Sequence, residues 1–267
     1  MNIVVCIKQV PDTESVQVDS KTGVLIRDGI ETKMNPYDLY ALETALRIKA
    51  ETNAVIHVIT MGPPNAQAVI EEAFALGADE GYLMSDRRFG GADVLATAYT
   101  LSQGISSILE EVDLILCGKQ TIDGDTAQVG PAIAEYLSIP HVSWVKKILS
   151  FNEYGIEMLQ ELVDHSVHVR MNYPCLITVE KGIYQPGLPS YRKKQASLER
   201  QIHWITLDQC LDLDPSRYGL SGSPTQVERI FEPAGCENGE RFDFDTIINA
   251  KKIIEKFKEM KVFREEE

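Results

Sequence analysis

The chain has 267 residues, 44% hydrophobic and 25% charged, which suits one large globular domain with an extension and argues against intrinsic disorder. No apolar run is long enough to span a bilayer, so membrane insertion is not expected, and the net charge of −14 argues against nucleic-acid binding through a basic face. Five widely spaced cysteines without a Cys-x-x-Cys pair argue against a disulfide framework, a zinc ribbon or a cluster site.

The chain begins with an apolar run over residues 3–7 that predicts a strand. This run is too short for a signal peptide, no basic segment precedes it, and no small-residue cleavage site follows. We therefore expect a cytoplasmic protein whose cysteines are small buried hydrophobic residues in a reducing compartment.

The first half of the chain alternates β-branched runs with longer amphipathic stretches. The predicted strands are residues 3–7, 55–61, 81–84 and 114–117, and the predicted helices are residues 36–51, 66–76, 93–109 and 132–137. This alternation predicts an α/β fold, a doubly wound and mostly parallel sheet with helices on both faces. Ligands of such sheets lie beyond the carboxyl ends of the strands, near a topological switch point.

After about residue 140 the regular alternation of strands and helices ends. Further strands are predicted over residues 145–150, 156–169 and 176–179, an exposed loop over 182–195, turns over most of 207–245, and a helix over 246–263. We interpret the chain as a nucleotide-binding α/β domain, a partner-recognition segment and a C-terminal helical extension, over residues 1–185, 186–245 and 246–267.

The segment between the fourth strand and the next helix, residues 118–131, is the strongest candidate ligand loop. Its small and turn-forming residues leave backbone N–H groups available to a phosphate, although a plain connecting turn has the same composition. Asp123 and Asp125 would repel phosphate, so they are expected to cap the helix or to accept hydrogen bonds from ribose hydroxyls. Pro131 requires the helix either to start or to bend there. Neither a P-loop nor a Gly-x-Gly-x-x-Gly motif is present.

Three other turns follow predicted strands or precede helices. Asn35 is placed as an N-cap with Pro36 at the first helical position, and Asp93 as a cap after a glycine turn that could also cradle a cofactor. Met61 ends a strand before a tight turn. His165 and His168 would point to opposite faces of a strand, so a metal pair is not expected there. With no hydrolytic motif, the chain is expected to hold a cofactor that brings its own chemistry.

Several of these segments together resemble the electron transfer flavoprotein β family. The matching segments, in order and with the expected spacing, are residues 5–12, 34–37, 77–79, 116–123, 174–179 and 188–189. The resemblance implies an adenine-nucleotide α-hydrolase-like sheet, a flavin-bearing α subunit as partner, and a nucleotide held by this chain. The implied cofactor-binding residues are Cys6, Asn35, Pro36, Tyr37, Asp38, Met61, Asp93, Thr97, Gln120, Thr121, Asp123, Gly124, Asp125, Thr126, Ala127, Gln128 and Val129.

The common form of this family holds AMP in the β subunit, whereas an electron-bifurcating branch holds a second FAD in its place. The loop over residues 123–131, with the glycine turn over 90–97, resembles the bifurcating branch. That branch takes electrons from NADH and sends one to ferredoxin and the other towards a dehydrogenase. A conventional AMP-holding subunit is the alternative, and a universal-stress-type nucleotide-binding module is a more distant one.

The resemblance also implies a docking site for a partner dehydrogenase. Leu188 corresponds to the residue that anchors an acyl-CoA dehydrogenase-like partner, and a flavin-dependent hydroxy-acid dehydrogenase is an equally open partner. The sequence itself agrees, because a leucine between Gly187 and Pro189 in a polar loop is expected to be exposed and to form a binding hot spot. The other interpretation is a leucine that folds back onto the domain.

Overall fold

A computed structural model of the protein describes residues 1–12, 31–228 and 247–260. Contacts within the chain define two units, Met1–Gln17 with Leu25–Glu228, and Val18–Val24 with Arg229–Glu267. The first unit contains the sheet and its helices, and the described part of the second is a helix. None of the helices in the described residues is long and apolar enough to cross a membrane.

The described strands form one large sheet and a small ribbon. They are β1 (Asn2–Cys6), β2 (Gln9–Pro11), β3 (Thr32–Met34), β4 (Val55–Met61), β5 (Glu80–Met84), β6 (Leu114–Gly118), β7 (His141–Phe151), β8 (Gly155–Glu161), β9 (Ser166–Asn172), β10 (Cys175–Val179) and β11 (Ile202–Ile205). The large sheet has the order β11-β5-β4-β1-β6-β10-β7-β8-β9, parallel from β11 to β7 and antiparallel through β8 and β9. β2 and β3 pair antiparallel beside it.

Helices cover both faces of the sheet, which confirms the predicted doubly wound α/β fold. They are α1 (Pro36–Glu51), α2 (Gln67–Leu76), α3 (Val94–Ile108), α4 (Val129–Tyr136), α5 (Tyr191–Ser197) and α6 (Ile247–Glu259). α1 and α2 bury their apolar residues in one core with alternate residues of β1 such as Ile3 and Val5. α3 and α4 form the other core, with the intervening residues Val4 and Cys6.

The switch point of the sheet lies between β1 and β6. The chain adds β4 and then β5 on one side of β1, and returns to place β6 on the other side. Cys6 and Cys117 are register partners near the carboxyl ends of these two strands. The connections after β1 and β6 therefore leave the sheet side by side and in opposite directions, which opens a crevice where such folds bind ligands.

The structure corrects three predicted elements. Residues 156–169 are not one strand, because a turn over 162–165 separates β8 from β9. The predicted loop over 182–195 contains the start of α5. α4 begins at Val129 rather than at 132, so Pro131 lies in the first helical turn, where its missing N–H is not needed. The predicted tail helix is described from Ile247 to Glu259, and the rest of its predicted span, apart from Met260, lies outside the described residues.

The cysteines follow the expected pattern where the structure describes them. Cys6, Cys117, Cys175 and Cys210 are buried free thiols, and Cys236 lies outside the described residues. Burial raises the pKa of Cys175 to about 12, so this thiol stays protonated and behaves as a small apolar side chain.

Candidate functional site

Asn35 joins the two connections that flank the crevice. It is fully buried immediately before α1, and its Nδ2 donates to the Gln120 carbonyl at 2.9 Å while its Oδ1 accepts from the Ile122 N–H at 3.3 Å. Its backbone does occupy the predicted N-cap position, with Pro36 at the first helical position. Its side chain makes no capping hydrogen bond, so the predicted capping role of that side chain is wrong. It holds the loop after β6 instead.

Asp38, in the first turn of α1, is the second buried polar residue at this point. Its carboxylate accepts from the Lys8 N–H at 2.8 Å and is only 5% exposed. Burial raises the pKa of Asp38 to about 7, although hydrogen bonds from Asn35 and from the backbone of Lys8 and Gly118 act in the opposite direction. A Cβ at Gly118 would lie 2.4 Å from Asp38 Oδ1, so the end of β6 must be glycine for α1 to approach this closely.

An ion pair also links the two connections that flank the crevice. Lys8 Nζ lies 2.7 Å from Asp123 Oδ2 and 2.8 Å from Oδ1, which links the residue after β1 to the loop after β6. Partial burial alone would raise the pKa of Asp123, but the hydrogen bond and the charge of Lys8 outweigh it and keep the pKa below its ordinary value. Asp123 therefore stays ionised and paired with a cation.

The loop itself is exposed to solvent from residue 122 to 126. Thr121 Oγ1 accepts from the Gly124 N–H at 3.3 Å, and Gln120 donates to Asp125. Asp125 and Ala127 have φ values of 53° and 55°, in the left-handed region that non-glycine residues rarely adopt. Alternation between left- and right-handed residues turns successive N–H groups towards one side, which suits an anion.

Neither acidic residue of the loop caps the next helix. The N-cap of α4 is Gln128, which makes no side-chain capping hydrogen bond, while Asp123 pairs with Lys8 and Asp125 with Gln120. The predicted capping alternative is therefore wrong for both aspartates. Their other predicted role, as acceptors from ribose hydroxyls, stays a prediction.

Most of the other predicted residues also lie along the carboxyl edge of the sheet. Cys6 and Met61 end the neighbouring strands β1 and β4, and Cys6 is buried. The remaining residues at the two flanking connections are Pro36 and Tyr37 in the first turn of α1, Thr126, Ala127 and Gln128 before α4, and Val129 at its start. The switch point thus gathers the residues on β1, α1 and the loop after β6.

Asp93 and Thr97 belong to a different group of contacts. Asp93 caps α3 as predicted, since its carboxylate accepts from the Ala96 N–H at 3.1 Å. The same carboxylate accepts from Thr225 N and Oγ1 at 3.0 and 2.7 Å. Thr97 donates its N–H to the Asp93 carbonyl within the first turn. Asp93 is therefore engaged by the chain's own groups, and its ligand role stays a prediction.

The predicted anchor Leu188 directly follows a segment that is fastened to α1. Its neighbour Gly187 donates its N–H to Glu43 on α1 at 3.2 Å, and Arg47 both pairs with Glu43 at 3.0 Å and lies over the Tyr184 ring at 4.4 Å. Leu188 itself is 94% exposed, so it does not fold back onto the domain. The surface that it offers is held in place before any partner binds.

Within the described residues, no group of histidine, cysteine, aspartate and glutamate could hold a metal ion. His165 lies in the turn before β9 and not on a strand, where its Nδ1 contacts Asp164 at 2.5 Å. His168 lies on β9 beside Glu157, at 3.5 Å. The two histidines therefore have separate carboxylate partners.

Lys8 belongs to this site, although no individual role is predicted for it from the sequence. It belongs to the matching segment 5–12 and follows β1 directly, which is the position where ligand contacts are expected. Its contact with Asp123 joins residues 115 positions apart, so no local pattern indicates it.

Comparison with known proteins gives a consistent result. Residues 22–203 match the electron transfer flavoprotein domain family. The chain is 41% identical to the electron transfer flavoprotein subunit beta of Clostridium acetobutylicum, over 97% of this chain and 98% of the relative. It is 42% identical to the caffeyl-CoA reductase-Etf complex subunit CarD of Acetobacterium woodii, over 97% and 98%. Protein FixA of Sinorhizobium fredii is 38% identical, over 95% and 90%.

The matched family domain covers well over half of the chain, and the matched relatives are aligned along almost their whole length. The parallel sheet, the crevice beside β1 and the loop after β6 agree with the fold that the resemblance implied. The chain therefore belongs to the electron transfer flavoprotein β-subunit family and acts in electron transfer together with an α subunit.

Proposed function

We propose that this subunit holds FAD in the crevice between β1 and β6 and serves an electron-bifurcating complex with its α subunit. The chemistry that this flavin supplies when bound is acceptance of an electron pair from NADH and its division between ferredoxin and the FAD of the α subunit. The residues proposed to hold it are those that flank the crevice, with Asn35, Asp38 and the loop 120–129 as the main contributors.

The observation that carries the choice of FAD is the space at Gly124. A Cβ built there meets only Thr121 Oγ1, at 3.4 Å, which is ordinary van der Waals contact, and the backbone does not require glycine at this position. The fold itself thus tolerates a larger residue on this exposed turn. A glycine that the chain's own packing does not need is consistent with a bulky ligand that lies against the loop.

The remaining geometry supports a phosphate-bearing ligand. Asn35 fixes the loop through two hydrogen bonds, so the loop backbone is held in place before binding rather than ordered by it. Asp38 fixes the turn after β1 by accepting a hydrogen bond from the Lys8 N–H. Because these two residues are buried, they position the backbone and leave the outer side of the crevice to the cofactor.

We further propose that Leu188 docks on a flavin-dependent dehydrogenase, either of the acyl-CoA type or acting on a hydroxy acid. A fastened, fully exposed leucine offers apolar contact area at a small entropic cost. Similarity to a subunit named for a caffeyl-CoA reductase complex supports a role beside such an enzyme. The helix α6 is proposed to pack on the α subunit.

The decisive experiment is to denature the purified α/β pair and to quantify the released flavin and adenylate. We expect two FAD for each pair, together with ferredoxin reduction that depends on both NADH and the dehydrogenase. One FAD and one AMP would mean a conventional subunit that holds AMP and acts as an electron shuttle. A chain that purifies without a flavin-bearing partner would favour a nucleotide-binding module of the universal-stress type.

A further inference from the structure

Lys8 is held in position along its whole length. Its backbone N–H donates to Asp38 at 2.8 Å, and its carbonyl accepts from the Asn35 N–H at 2.9 Å. Its side chain extends from there to Asp123, with both carboxylate oxygens within 2.8 Å of Nζ. The backbone is therefore fixed by buried groups, whereas the ammonium contacts a partly exposed loop residue.

The charges around the loop raise a problem for any phosphate ligand. The protein carries a net charge of −14, and the loop itself contributes Asp123 and Asp125. Backbone N–H groups alone would have to offset this repulsion. A cation beside the loop, paired with one of its aspartates, would offset this repulsion. When a phosphate replaces the aspartate as its partner, the ammonium stays paired with an anion throughout.

The ion pair is suited to such an exchange. The Lys8 and Asp123 side chains are 45% and 32% exposed, and ion pairs at this exposure contribute little stability. Lys119, at the start of the loop after β6, has other partners: its Nζ lies 2.6 Å from Glu180 Oε1 and 4.7 Å from the centre of the Trp144 ring. Lys8 is thus the cation that the fold directs towards the candidate phosphate loop.

We propose that Lys8 is the phosphate-recognising residue of the nucleotide site and that Asp123 holds its ammonium until a nucleotide phosphate replaces the carboxylate. This inference rests on the proposed nucleotide site and adds to it the residue that distinguishes a nucleotide from a nucleoside. It applies equally to FAD and AMP, because FAD contains an adenylate phosphate.

The test compares AMP with adenosine, which differ by the phosphate alone. Equilibrium dialysis of the nucleotide-depleted α/β pair gives a dissociation constant for each, and their ratio isolates the phosphate contribution because shared base and ribose contacts cancel. We expect Lys8→Met to weaken AMP binding at least tenfold and to leave adenosine binding unchanged. Asp123→Asn, which removes the competing charge, should shift the ratio severalfold in favour of AMP.

Lys33→Met is the matched control, since Lys33 forms a comparable exposed pair with Asp12 at 2.6 Å. It removes the same charge from the protein and should leave the ratio unchanged. Equal ratios for the wild type and Lys8→Met, or an equal loss in Lys33→Met, would overturn the role of Lys8 while the nucleotide site stands. A wild-type pair that binds neither AMP nor FAD at the β subunit would instead overturn the proposed function itself.

Discussion

The Asn35 side chain donates to the Gln120 carbonyl at 2.9 Å, across 85 positions of the sequence. The same side chain accepts from the Ile122 N–H, so a single buried amide satisfies two backbone groups of the loop after β6. Because both sides of the crevice meet at this residue, the shape of the candidate site depends on it more than on any residue of the loop itself.

Replacement of Asn35 by alanine should therefore loosen the loop. The change leaves two partly buried backbone groups without their side-chain partner, at a cost of about 1 kcal/mol for each hydrogen bond lost. We expect the apparent melting temperature of the α/β pair to fall and the β nucleotide to be lost on gel filtration. Asn172→Ala on the exposed face of β9 is the control. Full retention of nucleotide in Asn35→Ala would contradict the positioning role.

The raised pKa of Asp38 predicts a pH dependence of stability. The ordinary value of 3.8 applies in the unfolded chain and about 7 in the folded protein, so the folded state holds an extra proton between these values. The contribution is fully present below pH 3.8 and is lost as the pH rises to about 7, by up to about 4 kcal/mol. Asp38→Asn should gain stability relative to the wild type over this interval. Melting temperatures at pH 5, 6, 7 and 8 check the trend, and a constant difference would rule it out.

The sequence predicted the elements that depend on local pattern. α1 matches residue for residue, because Pro36 fixes its start and the apolar spacing continues to its end. The division of β8 from β9 was missed, since the turn over 162–165 contains neither glycine nor proline and is closed by Leu162 and His165 backbone groups. β2, β3 and β11 are too short for periodicity to identify.

In the candidate site, too, features set by local sequence could be predicted and long-range contacts could not. The sequence located the loop and the residue before α1, because both follow from turn chemistry at the ends of regular elements. Side-chain capping, one of the roles predicted for Asn35, Asp123 and Asp125, is wrong for all three. Capping is a local contact, whereas the partners of these side chains are set by the switch point or by the conformation of the loop. Such contacts follow from tertiary structure and leave no periodic signal.

Leu188→Ala should weaken docking on the dehydrogenase by about 2 kcal/mol, the loss typical of an interface hot spot. Leu188 is fully exposed and lies away from the crevice residues in sequence, so NADH-dependent dye reduction by the α/β pair should persist. The measurement is the KM of the dehydrogenase reaction for the α/β pair. Leu213→Ala, at another exposed leucine, should leave that KM unchanged. Equal loss of both activities in Leu188→Ala would refute the anchor role.

Deletion of residues 246–267 should separate the subunits. α6 exposes Ile254 by 49% and Phe257 by 40%. These residues are three positions apart and so share one face of the helix, and exposed apolar residues on one face favour a partner surface. We expect the truncated β chain to stay soluble and to elute apart from the α subunit on gel filtration. Ile254→Lys tests the same face with a single change, and Lys252→Ala, an exposed residue on the opposite face of the helix, is its control. An intact heterodimer after the deletion would disprove the assignment.

The sharpest prediction concerns Gly124. If the loop lies against FAD, a side chain at this position intrudes on the ligand, and a carboxylate also repels its phosphates at a cost of several kcal/mol. Gly124→Glu should lose the β flavin and NADH oxidation but keep the α flavin. Electron exchange between that flavin and the dehydrogenase, driven by a chemical reductant, should persist.

Two further substitutions at Gly124 separate bulk from charge and from misfolding. Gly124→Ala places its Cβ at ordinary contact distance from Thr121, so the protein should fold normally and retain most of its flavin. Gly124→Gln has the bulk of glutamate without its charge, and we expect it to lose flavin less completely than Gly124→Glu. If all three variants keep two FAD for each α/β pair, the loop does not contact the flavin. If the wild-type pair contains one FAD and one AMP, the bifurcating assignment is wrong while the family assignment stands, because AMP would then occupy the crevice without NADH chemistry.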